Sequence, residues 1–324
     1  MERIDAHIHL LGDDAESIAL LEELDLKLLD ICVAEGAWRA EMRTPYRELS
    51  RRHPARYAWC TTFDLPDYRG SDAEYAERVI EELRSDFADG AIAVKAWKNI
   101  GMELRAPDGR AVLIDDPIFD PIYGFLSAQR MPILMHIGEP LECWLPLREG
   151  SVHYGYYSRF PEWHMHGRTD LPSHADLMDA RDHVLAKHPK LRLIGAHLGS
   201  LEYDVAEIAK RFDRYPNFAV DISARLADLM SQPAGKVRDF FLAYPDRILF
   251  GTDIGSPRLH STMAPEERAR KFAEWRGMYD EHTRYFETTE QVKVLGQESP
   301  GIELPPDVLR RFYVTNAREW YPGL

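Results

Sequence analysis

The sequence predicts a (β/α)8 TIM barrel, and three observations carry that expectation. Eight short apolar runs rich in β-forming residues recur along the chain, and segments of helical periodicity lie between them. The 324 residues exceed what one small core needs and suffice for a closed barrel. Alternating strands and helices imply parallel strands joined by right-handed crossovers, and eight such units are met most economically by closure.

The expected strands are, in order, Arg3–Leu10, Leu26–Ala34, Tyr57–Asp64, Ala91–Lys98, Pro132–Glu139, Leu191–Ser200, Phe218–Arg225 and Ile248–Ile254. Apolar residues three or four apart predict helices over Ser17–Leu24, Asp72–Phe87, Pro117–Arg130, Asp176–His188, Val205–Tyr215 and Val237–Ala243. His53-Pro54, His188-Pro189, Tyr215-Pro216 and Tyr244-Pro245 stand before strands, where proline stops a helix, and mark the bottom of the barrel. The loops after the strands are longer and more polar. Residues 140–173 form a loop rich in aromatics and histidines, suited to closing over a ligand or to pairing subunits. Residues 255–306 read as a peripheral insertion with a helix over Pro265–Tyr285, followed by a C-terminal helix over Pro306–Trp320, all within a single domain spanning 1–324.

Composition narrows the function. Apolar residues make up 45% and charged residues 29%, which suits a packed globular domain. A net charge of −14 argues against nucleic acid or an anionic membrane as partner. Cys32, Cys60 and Cys143 are scattered without CxxC spacing, which fits reduced thiols and a cytoplasmic protein. No basic-then-apolar leader is expected, and no run approaches the ~18 apolar residues of a membrane span. The chain has no Gly-x-Ser-x-Gly elbow, no phosphate-cradling Gly-x-x-x-x-Gly-Lys loop and no Gly-x-Gly-x-x-Gly fingerprint, so serine hydrolysis and nucleotide binding are set aside.

Catalytic groups of such barrels stand at the C-terminal ends of strands. In the first strand the period of two places Asp5, His7 and His9 on one face. Later strands contribute Lys95 in Ala93-Val94-Lys95-Ala96-Trp97, His136 in Leu134-Met135-His136-Ile137-Gly138-Glu139, His197 in Gly195-Ala196-His197-Leu198-Gly199, and Asp253 in Phe250-Gly251-Thr252-Asp253. His7, His9, His136 and Asp253 make an N3O set of the kind zinc, manganese or iron accepts, with room for a water. Asp5, further down the first strand, is a candidate acceptor for holding one imidazole in place.

This combination, His-x-His on the first strand, His on the fifth and sixth and Asp on the eighth, resembles the amidohydrolase superfamily of metal-dependent barrels. Within it the chain is similar to the branch containing aminocarboxymuconate semialdehyde decarboxylase, related aromatic-acid decarboxylases and lactonases. The motifs cover residues 1–255, with Thr315-Asn316-Ala317 as a further similarity. The resemblance implies that His7, His9, His136 and Asp253 bind one divalent ion, zinc being expected and manganese also acceptable. It also implies that His197 activates or orients a metal-activated water or the substrate, and that Asp253 passes a proton to the leaving group.

The expected activity is hydrolysis of a small polar lactone or other ester or amide. Non-oxidative decarboxylation of an aromatic or unsaturated acid is the alternative, and a catalytically silent metal-binding protein is a third reading. Binuclear members carry a carboxylated lysine on the fourth strand. Lys95 is read instead as a cation for a substrate carboxylate or for Glu139, because the mononuclear set is complete without it. Arg225, Glu139 and His164 are further candidates for substrate contact, Arg225 as a carboxylate clamp and His164 as part of the closing loop. Trp38, Arg39 and Asp64 line the same face, and metal binding by the His164-Met165-His166 pair is set aside for want of partners. A small-molecule substrate and a possible homodimer complete the expectation.

Overall fold

The structure, a computed structural model, describes residues 2–10, 12–33, 37–256 and 263–324, with the backbone alone for 37–40 and 256. Its centre is eight parallel strands: β1 (Arg3–Leu10), β2 (Leu26–Ile31), β3 (Tyr57–Thr62), β4 (Ala91–Ala96), β5 (Ile133–Met135), β6 (Leu193–Gly195), β7 (Phe218–Asp221) and β8 (Ile248–Leu249). Each pairs with its neighbour in chain order. The stretch after β8 folds back on β1. Ala6 N–H donates to Phe250 O at 3.0 Å, Asp253 N–H to His7 O at 2.8 Å and His9 N–H to Ile254 O at 2.8 Å. A two-residue strand β9 (Gly255–Ser256) then runs beside His9 and Leu10. Gly255 permits this approach, because a Cβ there would lie 2.8 Å from the Cβ of His9.

Every expected strand is present and several end early. The apolar runs continue through Ile137, Ala196, Leu198, Ile222 and Ile254, all buried, so the sequence reads as unbroken strand. The backbone leaves the ladder there, and His197 and Asp253 turn into the left-handed region with φ of 57° and 63°. Burial of these residues comes from packing at the barrel mouth rather than from sheet pairing.

Helices cover the outside. Ser71 and Glu74 form a capping box at the start of helix Asp72–Ala88, and Ser173 and Asp176 do the same for helix His174–Lys187. Helix Ala37–Arg52 was not among the expected helices, and Pro45 lies inside it. The 255–306 insertion also contains an unexpected antiparallel hairpin, β10 (Gln291–Val294) with β11 (Gln297–Pro300). Leu295 and Gly296 turn it with positive φ, the backbone a tight hairpin demands. Among the described residues no helix is long and apolar enough to cross a membrane.

Two later segments pack against the barrel beside β1 and β8. Helix Pro265–Glu287 buries Phe272, Trp275, Tyr279, His282, Tyr285 and Phe286. The C-terminal stretch is helical from Pro306 to Trp320 through a π turn, and Asn316 donates from Nδ2 to Pro245 O and Ile248 O at 2.8 Å each. That contact gives the Thr315-Asn316-Ala317 motif a physical reason: it ties the terminal helix to the start of β8.

Asp5 does not hold an imidazole. Its Oδ1 accepts from Thr252 N–H at 3.1 Å, and its Oδ2 accepts from Thr252 Oγ1 at 2.6 Å and Tyr279 Oη at 2.7 Å. Burial pushes its carboxyl up to about 6 against the pull of these donors. Tyr279→Phe removes one donor from a fully buried carboxyl and is expected to cost about 1–3 kcal/mol in denaturant unfolding. An unchanged midpoint and slope would show that the tie contributes nothing.

Candidate metal centre

The barrel mouth encloses a cavity of about 280 Å3 lined by His7, His9, Lys95, His136, His197 and Asp253, with Val33, Met42, Trp97 and Gly255 as its less polar wall. Four of the expected groups, His7, His9, His136 and Asp253, are among its lining. His7 Nδ1 is 2.9 Å from Asp221 Oδ2, and His9 Nδ1 is 2.7 Å from Ile31 O. Both partners accept, so the hydrogen-bond pattern assigns the proton to Nδ1 and leaves each Nε2 with its lone pair. Asp253 Oδ1 lies 3.6 Å from His7 Nε2 and 3.3 Å from His9 Nε2. A tetrahedral ion at ~2.0–2.1 Å from its ligands separates them by about 3.3–3.4 Å. His136 Nε2 is buried without a hydrogen-bond partner, an orphan that a fourth ligand position would satisfy. His7, His9 and Asp253 bring their ligand atoms within 4.8 Å of one another, a set that fits a divalent ion, and His136 lines the same cavity without joining that group.

Protonation suits that role. Burial holds His7, His136 and His197 below the usual imidazole range, so they are neutral near pH 7. Burial alone would raise Asp253, but His197, His9 and His7 outweigh it and keep the carboxyl well below its usual range. Burial likewise brings Lys95 down to about 8; its Nζ sits 3.2 Å from His7 Nε2.

His197 belongs to the same cluster, its ring centred 4.9 Å from that of His7 and 4.3 Å from that of His136. Its Nδ1 lies 2.8 Å from Ser223 O, which leaves Nε2 without the proton. Asp221 joins the two histidines from behind. While Oδ2 takes His7, Oδ1 accepts from His197 N–H at 2.9 Å and from Ser223 Oγ at 2.5 Å. These 2.9 Å separations are hydrogen bonds, too short for the edge of a ligand polyhedron, so Asp221 is support and not a ligand. Sequence reasoning passed over Asp221 because it stands inside an apolar run, four residues before the more conspicuous Arg225.

The remaining candidates lie around this centre. Glu139 does not pair with Lys95. It is ion-paired to Lys98 and accepts from Tyr157 Oη at 3.1 Å, while Lys98 Nζ stands 3.9 Å above the Trp163 ring and so ties the aromatic loop to the ends of β4 and β5. His164 is outside the cavity lining, its Nε2 3.0 Å from Leu145 O. Asp64 is exposed, and the side chains of Trp38 and Arg39 lie outside the described residues.

Arg225 is buried, donates to Ala224 O at 2.8 Å and has Nε 4.0 Å from Asp228 Oδ2. It belongs to a second polar cluster with Glu202, whose Oε1 accepts from Leu141 N–H at 2.8 Å, and with Asp228, whose Oδ1 is 2.9 Å from His153 Nε2. Burial, with Asp228 adding to it, pushes Glu202 up to about 7.

Two outcomes are expected. Asp221→Asn loses the carboxylate that fixes the His7 tautomer, and zinc affinity measured against a competing chelator falls about 10–100-fold. Equal affinity would remove Asp221 from the account. The folded protein holds its proton on Glu202 up to about pH 7, whereas the unfolded chain releases it near pH 4.5. Stability therefore falls as pH rises through that window. Glu202→Gln is expected to melt with the wild type at pH 4 and about 2–4 °C above it at pH 8. Parallel melting curves at both pH values would contradict the raised carboxyl.

The amidohydrolase family (Amidohydro_2) matches residues 4–323. No curated protein matches the chain. Solved structures share the fold at low identity. A 2,6-dihydroxybenzoate decarboxylase from Rhizobium is 16% identical with a TM-score of 0.54, covering 99% of this chain and 98% of that one. A dihydroxybenzoic acid decarboxylase from Polaromonas, solved with bound manganese and the inhibitor 2-nitroresorcinol, is 14% identical with a TM-score of 0.56 over 99% and 96%. A 4-oxalomesaconate hydratase from Rhodopseudomonas palustris is 13% identical with a TM-score of 0.52 over 99% and 96%. The chain belongs to the amidohydrolase family and is a metal-dependent enzyme of that kind.

Proposed function

We propose that this enzyme hydrolyses a small carbonyl compound, a lactone or another ester or amide, at the cavity bounded by His7, His9, His136, His197 and Asp253. The observation that carries the proposal is the pairing of two bases on one cavity: an ionised carboxylate, Asp253, and a neutral imidazole, His197, whose Nδ1 is committed to Ser223 O. His7, His9, His136 and Asp253 would hold a divalent ion, zinc by preference and manganese as the alternative, which would lower the pKa of water towards ~7 and polarise a carbonyl oxygen. His197 Nε2 would take one proton of the attacking water, and the second oxygen of Asp253 would take the other and pass it to the leaving group. Lys95 supplies a cation beside the ligands, and Trp97 supplies a flat wall against which a small substrate packs. The cavity volume of about 280 Å3 limits the substrate to a small molecule.

Decarboxylation of a planar acid is the second reading. The approach of Lys95 to the ligand set, with Trp97 two residues on in the same cavity wall, favours it, since an aromatic carboxylate meets both. Two of the structures that share the fold are named as decarboxylases of such acids, which adds support at the level of the fold alone.

The two readings separate on product. Zinc- and manganese-loaded protein is assayed with a panel of lactones, esters and amides by pH indicator and with aromatic acids by carbon dioxide capture. The hydrolytic reading expects acid release from a lactone or ester and at least a ~10²-fold loss of kcat in His197→Gln. Carbon dioxide release without any hydrolysis would overturn it in favour of the second reading, and silence in both assays would overturn both.

A further inference from the structure

His197 does not stand on a strand. It opens a turn in which four successive residues, His197, Leu198, Gly199 and Ser200, all have φ between 57° and 62°. Three of them carry side chains that disfavour this conformation, so the turn persists only where its surroundings enforce it. Gly195 is part of that enforcement, since a Cβ there would lie 2.7 Å from the Cα of Gly199.

The outer grip comes from one helix. On helix His174–Lys187, His174 and Arg181 stand seven residues apart on the same face. His174 Nε2 is 2.7 Å from Ser200 O, and Arg181 Nη1 donates to Gly199 O at 2.5 Å, so consecutive carbonyls of the turn are held by side chains two helical turns apart. Ser200 Oγ adds a bond to Ile137 O at 2.8 Å, next to His136. Arg181 is fully buried. Its Nε and Nη2 donate to Asp182 Oδ1 at 3.1 and 2.8 Å, and its guanidinium lies 4.9 Å from the centre of the Phe218 ring. The Asp182 carboxylate offsets part of the cost of burying this guanidinium, and the remaining donor, Nη1, is directed at the Gly199 carbonyl.

We infer that Arg181, which does not line the cavity, is a positioning residue for His197: it locks the left-handed turn from outside the barrel and thereby fixes the ring direction that commits Nδ1 to Ser223 O and turns Nε2 to the cavity. The inference rests on the reading of His197 as the proton acceptor. It is tested without substrate, so its failure leaves the hydrolytic reading standing, and a failed substrate screen leaves the positioning claim standing.

The test is nitrogen NMR of the ring in zinc-loaded protein labelled at histidine, with the His197 signals identified by their loss in His197→Gln. In the wild type the two His197 nitrogens are expected to show the wide separation of a fixed Nδ1–H tautomer. In Arg181→Met that separation is expected to collapse towards an average while the signals of His7 and His9 stay in place. Arg181→Lys, which keeps one donor for Gly199 O, is expected to restore it. Unmoved His197 signals in a folded Arg181→Met protein overturn the inference, as does a common shift of His7, His9 and His197, which marks general loosening. If Arg181→Met does not fold, Asp182→Ala carries the test, because it removes the acceptor of two guanidinium donors at a partly exposed position. A smaller collapse in the same direction supports the inference, and unmoved signals overturn it.

Discussion

The carboxylate of Asp221 reaches two histidines at once, and the arrangement of the site depends on that reach. One oxygen takes the Nδ1 proton of His7, and the other takes the backbone N–H of His197 together with the Ser223 hydroxyl. The first contact decides which nitrogen of His7 faces the cavity. The second ties the left-handed turn after β6 to the end of β7, so ligand and proton acceptor are registered against the same group. A single carboxylate can do this because the barrel is closed. Residues on β1, β6 and β7 meet only when the stretch after β8 has folded back on β1.

Closure also sets the charges. At the mouth burial holds the imidazoles of His7 and His197 below their usual range, and against the same burial hydrogen bonds from His7, the His197 N–H and Ser223 hold the Asp221 carboxyl below its own. A metal site needs this combination, neutral nitrogen donors and an anionic oxygen without competing protons. Asp5 contributes indirectly. By taking the Thr252 N–H and hydroxyl it anchors the residue before Asp253, whose own backbone is held at a positive φ.

Much of this was legible in the chain. The eight runs, the His7-x-His9 pair and the histidines and aspartate at later strand ends led to the barrel and to one cavity, because hydrophobic period and strand-end position are local properties. What escaped notice depends on contacts between distant residues. Asp221 lies inside an apolar run, and only the approach of β7 to His7 gives it a role. Lys98, not Lys95, meets Glu139, because the chain turns just after β4 and aims the later lysine at the aromatic loop. Helix Ala37–Arg52 is helical despite Pro45, where packing overrides local preference. The Leu295-Gly296 turn carried a readable signal, since Gly296 stands next to alternating Val292 and Val294.

The central claim is a single metal centre assembled from β1, the end of β5 and the stretch after β8. Elemental analysis of protein purified without chelator, beside Asp253→Ala and His136→Ala prepared identically, tests it most directly. The account predicts about one divalent ion per folded chain in the wild type and its loss in both variants. A folded wild-type protein that holds no divalent metal even after incubation with zinc or manganese would contradict it.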